Sequence, residues 1–129
     1  MAWNVGDTHE VPLVEDLKRT QIVQYAGASG DYNPLHTDEV FATKVAGYPS
    51  VFAHGMLTMG MTGRVVTDLV GAESLLRFGG RFTSQVWPGD TLTVRATVES
   101  VEDGVVSLTL STVNQEGKEV FSGSATARA

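Results

Sequence analysis

Two short stretches of this chain carry side chains able to do acid–base chemistry together. The first is Asp31-Tyr32-Asn33-Pro34-Leu35-His36, an acid and a base five residues apart. Pro34 fixes its own φ and pushes Asn33 toward extended backbone, so the chain turns between the two titratable groups. Asn33 suits such a turn, because its side chain can bond nearby backbone. A carboxylate and an imidazole aimed at one point can position and activate a water molecule. The same loop also reads as a solvated turn, with a structural Asp31 and a His36 that only bonds backbone. The second stretch is Ala53-His54-Gly55-Met56, at the start of an apolar run with helical spacing. The first N–H groups of a helix lack internal partners and favour negative charge. Gly55 admits a ligand close to the backbone, where its N–H could polarise a carbonyl as charge builds. The bland alternative is a plain helix start, with Gly55 chosen for packing and His54 buried and satisfied.

Other arrangements fail. Ser29 does not stand in a G-x-S-x-G elbow, and Gly27-Ala28-Ser29-Gly30 is no dinucleotide fingerprint. The three histidines lack H-x-H or H-E-x-x-H spacing. A metal site from Asp31, His36 and His54 is a minor alternative, and the expectation is no metal. Lys44, Arg77 and Arg81 could meet phosphates of a carrier, or serve as plain surface charges. The chain has no cysteine, which excludes disulfides, thiol nucleophiles and Cys-ligated zinc. Its formal net charge of -6 and the lack of any Lys/Arg cluster exclude a nucleic-acid footprint. The longest apolar stretch, residues 56–70, is too short to span a bilayer and carries Arg64 and Asp68. No basic region followed by an apolar run opens the chain, so the expectation is a soluble, cytoplasmic protein.

These residues need elements to hold them. A chain of 129 residues, 42% hydrophobic and 19% charged, is a globular domain with a real core. No repeat or linker divides it, so residues 1–129 read as one domain. Residues 9–17 suggest a first strand through Val11, Leu13 and Leu17, and Pro12 argues for an edge position. Ile22, Val23, Tyr25 and Ala26 predict a helix over 19–28, ended by Gly27 and Gly30. A loop, 29–37, precedes a short helical piece over 38–44, with Asp38 and Glu39 in its first turn. Residues 55–70 form the central helix, with Leu57, Met61, Val65 and Leu69 four apart. It is apolar nearly all round, so burial is expected. Gly60 and Gly63 in it predict close approach of neighbouring backbone. Then the period changes to two. Strands are expected over 75–84, with a bulge at Gly79-Gly80, over 91–101, over 105–113 and over 119–128. Asp103-Gly104 is a hairpin signal. The order predicts an α+β fold, an antiparallel sheet wrapped around a long helix.

The run from Tyr25 to His36, Y-A-G-A-S-G-D-Y-N-P-L-H, resembles the hydratase motif of the MaoC-like family. That family contains (R)-specific enoyl-CoA hydratases and (3R)-hydroxyacyl-ACP dehydratases. Val51-Phe52-Ala53-His54-Gly55-Met56 is similar to its second marker, and Pro88-Gly89-Asp90-Thr91-Leu92 resembles a strand entry common in hotdog folds. The likeness covers nearly the whole chain. It implies a single hotdog fold, a dimer joined sheet edge to sheet edge, and an acyl tunnel near the contact. It implies a hydro-lyase acting on trans-2-enoyl thioesters of CoA or acyl carrier protein, with no cofactor beyond the thioester substrate. Asp31 and His36 match the catalytic pair, Gly55 the residue whose N–H holds the thioester oxygen, and Asn33 the loop-supporting Asn. Tyr25, His54 and Met56 join Asn33 as loop-supporting and substrate-binding positions. Tyr25-Ala26-Gly27 and the run from His54 to Gly60 are similar to the HadB-like catalytic subunit of fatty-acid elongation. That subunit works beside a partner lacking the motif, so a heterodimer stays open. A non-catalytic thioester-binding subunit and a hotdog thioesterase are the remaining alternatives.

Overall fold

The computed structural model describes residues 2–129. In chain order the elements are β1 (Thr8–Val14), α1 (Arg19–Ser29), α2 (Pro34–Thr37), α3 (Gly55–Val70), β2 (Leu75–Phe82), β3 (Leu92–Glu102), β4 (Val105–Val113) and β5 (Glu119–Arg128). A π-helical turn, Phe41–Val45, and a 3-10 turn, Ala72–Ser74, fill two of the connections. The five strands make one antiparallel sheet in the order β1-β3-β4-β5-β2. Helix α3 packs on it, touching β1, β2, β3 and β5. This is the expected α+β hotdog arrangement. Pro12 lies in β1, an edge strand, where a missing N–H costs nothing to the ladder. Asp103 and Gly104 both have positive φ and close the β3–β4 hairpin.

Strict alternation makes β3 and β4 the floor of the core. Leu92, Val94, Ala96 and Val98 are all at most 1% exposed. Val66 of α3 sits on Ala96, Val98, Leu108 and Leu110. Each such side chain contributes about 1.5–3 kcal/mol by leaving water. A second cluster joins Leu17, Ile22, Ala53, Val86, Leu92 and Val120. It pins α1 and the segment before α3 to the sheet, and so holds both candidate stretches.

Several expectations are corrected. The first strand ends at Val14, because Asp16 has φ 53 and turns the chain; Leu17 is buried but bonds Asp90 O through its N–H at 2.8 Å. Gly27 lies inside α1, which stops at Gly30 in the left-handed region at φ 79. The helical piece expected over 38–44 is present as helical turns at 39–45, but the expected loop 29–37 holds a further short helix, α2, since Pro34 is preset for a first turn and Asn33 caps it. The β2 bulge falls between Leu75 and Arg77, while Gly79 and Gly80 pair regularly with Ser124 and Gly123. Helix α3 is not buried all round: Thr58, Thr62, Val65 and Val66 face inward, while Met56, Gly60, Arg64 and Asp68 form an exposed stripe. One sheet can cover only one side of a helix. Gly63 does meet a neighbour, the Phe78 ring 3.0 Å from where a Cβ would lie, but Gly60 faces open space. Among the described residues no helix is long and apolar enough to cross a membrane.

Candidate active site

The acid–base loop is built by its own backbone. Gly30 reverses the chain after α1, and Asp31 N–H donates to Ser29 Oγ at 3.1 Å. The Asp31 carboxylate accepts Asn33 N–H at 3.2 Å. Asn33 Oδ1 then accepts Leu35 N–H at 2.9 Å, capping α2. His36 follows within the single turn of α2. Asn33 thus bonds the loop through both its N–H and its Oδ1. Beside the loop, exposed Arg19 pairs with exposed Glu39, and this hydrogen bond chiefly holds the Glu39 carboxyl below its ordinary range.

Two main-chain carbonyls set the imidazoles. His36 Nδ1 lies 2.6 Å from Phe52 O, and a carbonyl only accepts, so Nδ1 carries the proton. That leaves His36 Nε2 as a free acceptor. His54 Nε2 donates in the same way to Asp31 O at 2.9 Å. The two rings stack with centroids 4.0 Å apart and planes tilted by 27°. Tyr25 meets the other side of His54 edge-on at 4.8 Å. The Asp31 side chain is exposed, His36 is half-buried and His54 is 1% exposed. One donor atom from each of the three lies within 4.8 Å of the others. Acid, base and the tip of α3 thus converge on one side of the molecule.

Those three residues could be read as ligands for an ion. A zinc–nitrogen bond of about 2.0–2.1 Å lies in the plane of its imidazole. Rings stacked at 4.0 Å with a 27° tilt have planes that meet well beyond that reach. As arranged, the trio fits a shared ion poorly.

Gly55 opens α3, with His54 as its N-cap. Its N–H belongs to the first turn and has no partner within the helix. The Phe82 ring packs against it, 2.8 Å from where a Cβ would stand, so a side chain here would have to move that ring. Gly55 borders a cavity of about 300 Å³, with Phe52, Thr58, Phe82 and Val86 among its walls. Neither Asp31 nor His36 borders this cavity in the single chain. Met56 is 54% exposed and does not border this cavity. Three wall or anchor residues escaped sequence reasoning. Phe52 acts through its carbonyl, which no side-chain motif signals. Phe82 reaches Gly55 from β2, and Thr58 carried only its spacing of three from Gly55 as a hint.

Residues 4–119 match the family described as MaoC like domain. The chain is 48% identical over 67 residues to 3-hydroxyacyl-thioester dehydratase Y of Mycobacterium tuberculosis, covering 50% of this chain and 23% of that protein. It is 34% identical over 117 residues to the peroxisomal enoyl-CoA hydratase 2 of Arabidopsis thaliana, covering 87% of this chain and 36% of that protein. It therefore spans only about a quarter to a third of these curated relatives. Among solved structures, R-hydratase PhaJ1 from Pseudomonas aeruginosa superposes with a TM-score of 0.86 at 28% identity, covering 98% of this chain and 82% of that one. The HadBC (3R-hydroxyacyl-ACP dehydratase) complex from Mycobacterium tuberculosis matches with a TM-score of 0.75 at 23% identity, over 95% of this chain and 96% of that one, a likeness of fold alone. A family match over residues 4–119, most of the chain, means that this chain belongs to the MaoC-like domain family.

Proposed function

We propose that this chain is a hydro-lyase that adds water to trans-2-enoyl thioesters, giving (3R)-3-hydroxyacyl thioesters, and that catalyses the reverse dehydration. The supporting observation is the convergence of Asp31, His36 and the N-terminus of α3 on one side of the molecule. In this reading Asp31 and the free Nε2 of His36 hold one water between them. Its oxygen bonds to the β-carbon while one of its protons passes to the pair. A proton reaches the α-carbon, and Gly55 N–H stabilises the thioester oxygen while that carbon carries enolate-like charge. The thioester is itself the electron sink, so the reading calls for no metal, flavin or nucleotide. Asn33, Tyr25 and His54 support the loop, and Met56 flanks the ligand.

The carrier is CoA, as the name of the Arabidopsis thaliana relative suggests, or acyl carrier protein, as the family resemblance implies. Residues 1–129 act as one hotdog domain, in the cytoplasm. The working unit is a dimer, because the cavity at Gly55 does not reach Asp31 or His36 within one chain. A homodimer is the first reading. The resemblance of Tyr25-Ala26-Gly27 and the run from His54 to Gly60 to the HadB-like subunit leaves a second reading, a heterodimer in which this chain carries the acid–base loop.

The test is turnover. Asp31→Asn and His36→Ala are each expected to lower hydration of crotonyl-CoA or a longer enoyl-CoA by about 10²–10⁴-fold, with the fold intact by circular dichroism. Turnover retained by either variant would refute the assignment.

A further inference from the structure

We propose that the Thr58 hydroxyl is a second hydrogen-bond donor to the thioester carbonyl oxygen, beside Gly55 N–H; this rests on the hydro-lyase reading above. Thr58 stands three residues after Gly55, so both lie on one face of the first turns of α3. It is only 2% exposed, yet its Oγ1 is buried and has no hydrogen-bond partner. A helical threonine ordinarily turns its hydroxyl back to the carbonyl one turn earlier. Here that carbonyl, His54 O, receives the backbone N–H groups of Leu57 at 3.1 Å and Thr58 at 3.5 Å. A buried hydroxyl without a partner is a standing cost to the fold, and such groups call for an explanation. The explanation is next to it, since Thr58 and Gly55 line the same cavity of about 300 Å³.

The rest of that wall is mixed: Phe52, Val86 and Val120 are apolar and suit an acyl chain, while Thr83, Ser84 and Gln85 also line it. Of the side chains on this wall, only Thr58 holds a buried polar atom without a partner. The Phe82 ring, 48% exposed, packs against Gly55 and forms part of the same wall. Two donors fixed one turn apart on a helix would hold one oxygen without reorganisation as its charge builds. The competing account is local. His54 Nδ1 is also buried and unpartnered, and it precedes Thr58 by four residues. A single ordered water joining the two would make the hydroxyl purely structural.

Three proteins decide between these: wild type, Thr58→Val, which keeps the shape and removes the hydroxyl, and Thr58→Ser, which restores it. The readouts are kcat with crotonyl-CoA, Kd for butyryl-CoA by calorimetry, and Tm. Butyryl-CoA is saturated and cannot be hydrated, so the change in its affinity between variants reports binding without turnover. Thr58→Val is expected to lower kcat about 10²-fold and weaken butyryl-CoA about 3- to 10-fold, with Tm unchanged or raised. Thr58→Ser should stay within about threefold of wild type. Wild-type kcat and Kd in Thr58→Val overturn the proposal. So does a fall in Tm that tracks the fall in kcat and that Thr58→Ser fails to reverse. If wild type hydrates no enoyl thioester, the hydro-lyase reading falls by itself. Butyryl-CoA then still decides Thr58: weaker binding by Thr58→Val supports it, and equal or absent binding sinks it.

Discussion

His36 and His54 each commit one ring nitrogen to a main-chain carbonyl, Phe52 O and Asp31 O. The backbone, not a second ring of side chains, therefore decides which nitrogen is free. His54 is the link between the two stretches, since it sits at the N-cap position of α3, bonds Asp31 O and stacks on His36. His54→Phe keeps a ring in the stack but loses the bond to Asp31 O. One neutral hydrogen bond is worth about 0.5–1.5 kcal/mol, so kcat should fall about tenfold through misplacement of Asp31. Steady-state kinetics should show KM nearly unchanged; an unchanged kcat would mean that Gly30 and Asn33 alone position the acid. Asp31, Asn33, His36 and Gly55 stood out as candidates because turn and cap chemistry marks them, and the family resemblance is what weighted that reading over a plain turn and helix start. Phe52, Phe82 and Thr58 did not, because their roles come from contacts across the fold.

Among the elements, glycine separates what pattern can show from what packing decides. Gly60 and Gly63 look alike in sequence, both lowering the propensity of α3. Only Gly63 touches a neighbour, and Gly60 faces open space. Gly80 looks like a bulge and is instead a close approach, since a Cβ there would lie 2.4 Å from Ser122 O and 2.6 Å from the Phe121 ring. Gly60→Ala should stabilise by about 0.5–1 kcal/mol, as an exposed helical glycine does when replaced. Gly80→Ala should destabilise by about 1–3 kcal/mol, because backbone on the paired strand cannot move aside freely. Paired chemical denaturation of the two variants checks both signs. The exposed stripe of α3 has the same origin: hydropathy averaged over 16 residues does not say which side the sheet covers.

At the scale of the whole molecule, the sheet ends at β2, whose Leu76 and Phe82 are 46% and 48% exposed. An open edge strand with apolar side chains is a liability unless something pairs with it. The cavity at Gly55 also stops short of Asp31 and His36 in one chain. Both features favour the proposed dimer. Light scattering on the purified chain should give about twice 13.8 kDa. A monomeric mass with full hydratase turnover would remove the need for a partner.

The sequence alone determined the order of elements, the meander, the edge position of Pro12 and the acid–base loop. All of these follow from short-range physics: periodicity, fixed φ at proline, hairpin pairs and caps. Only the tertiary structure decided which nitrogen each histidine leaves free, which face of α3 is covered, and which buried hydroxyl has no partner. Those depend on contacts between residues 16 to 50 apart, as in His36–Phe52 and Thr62–Thr112, and no local window contains both members of such a pair.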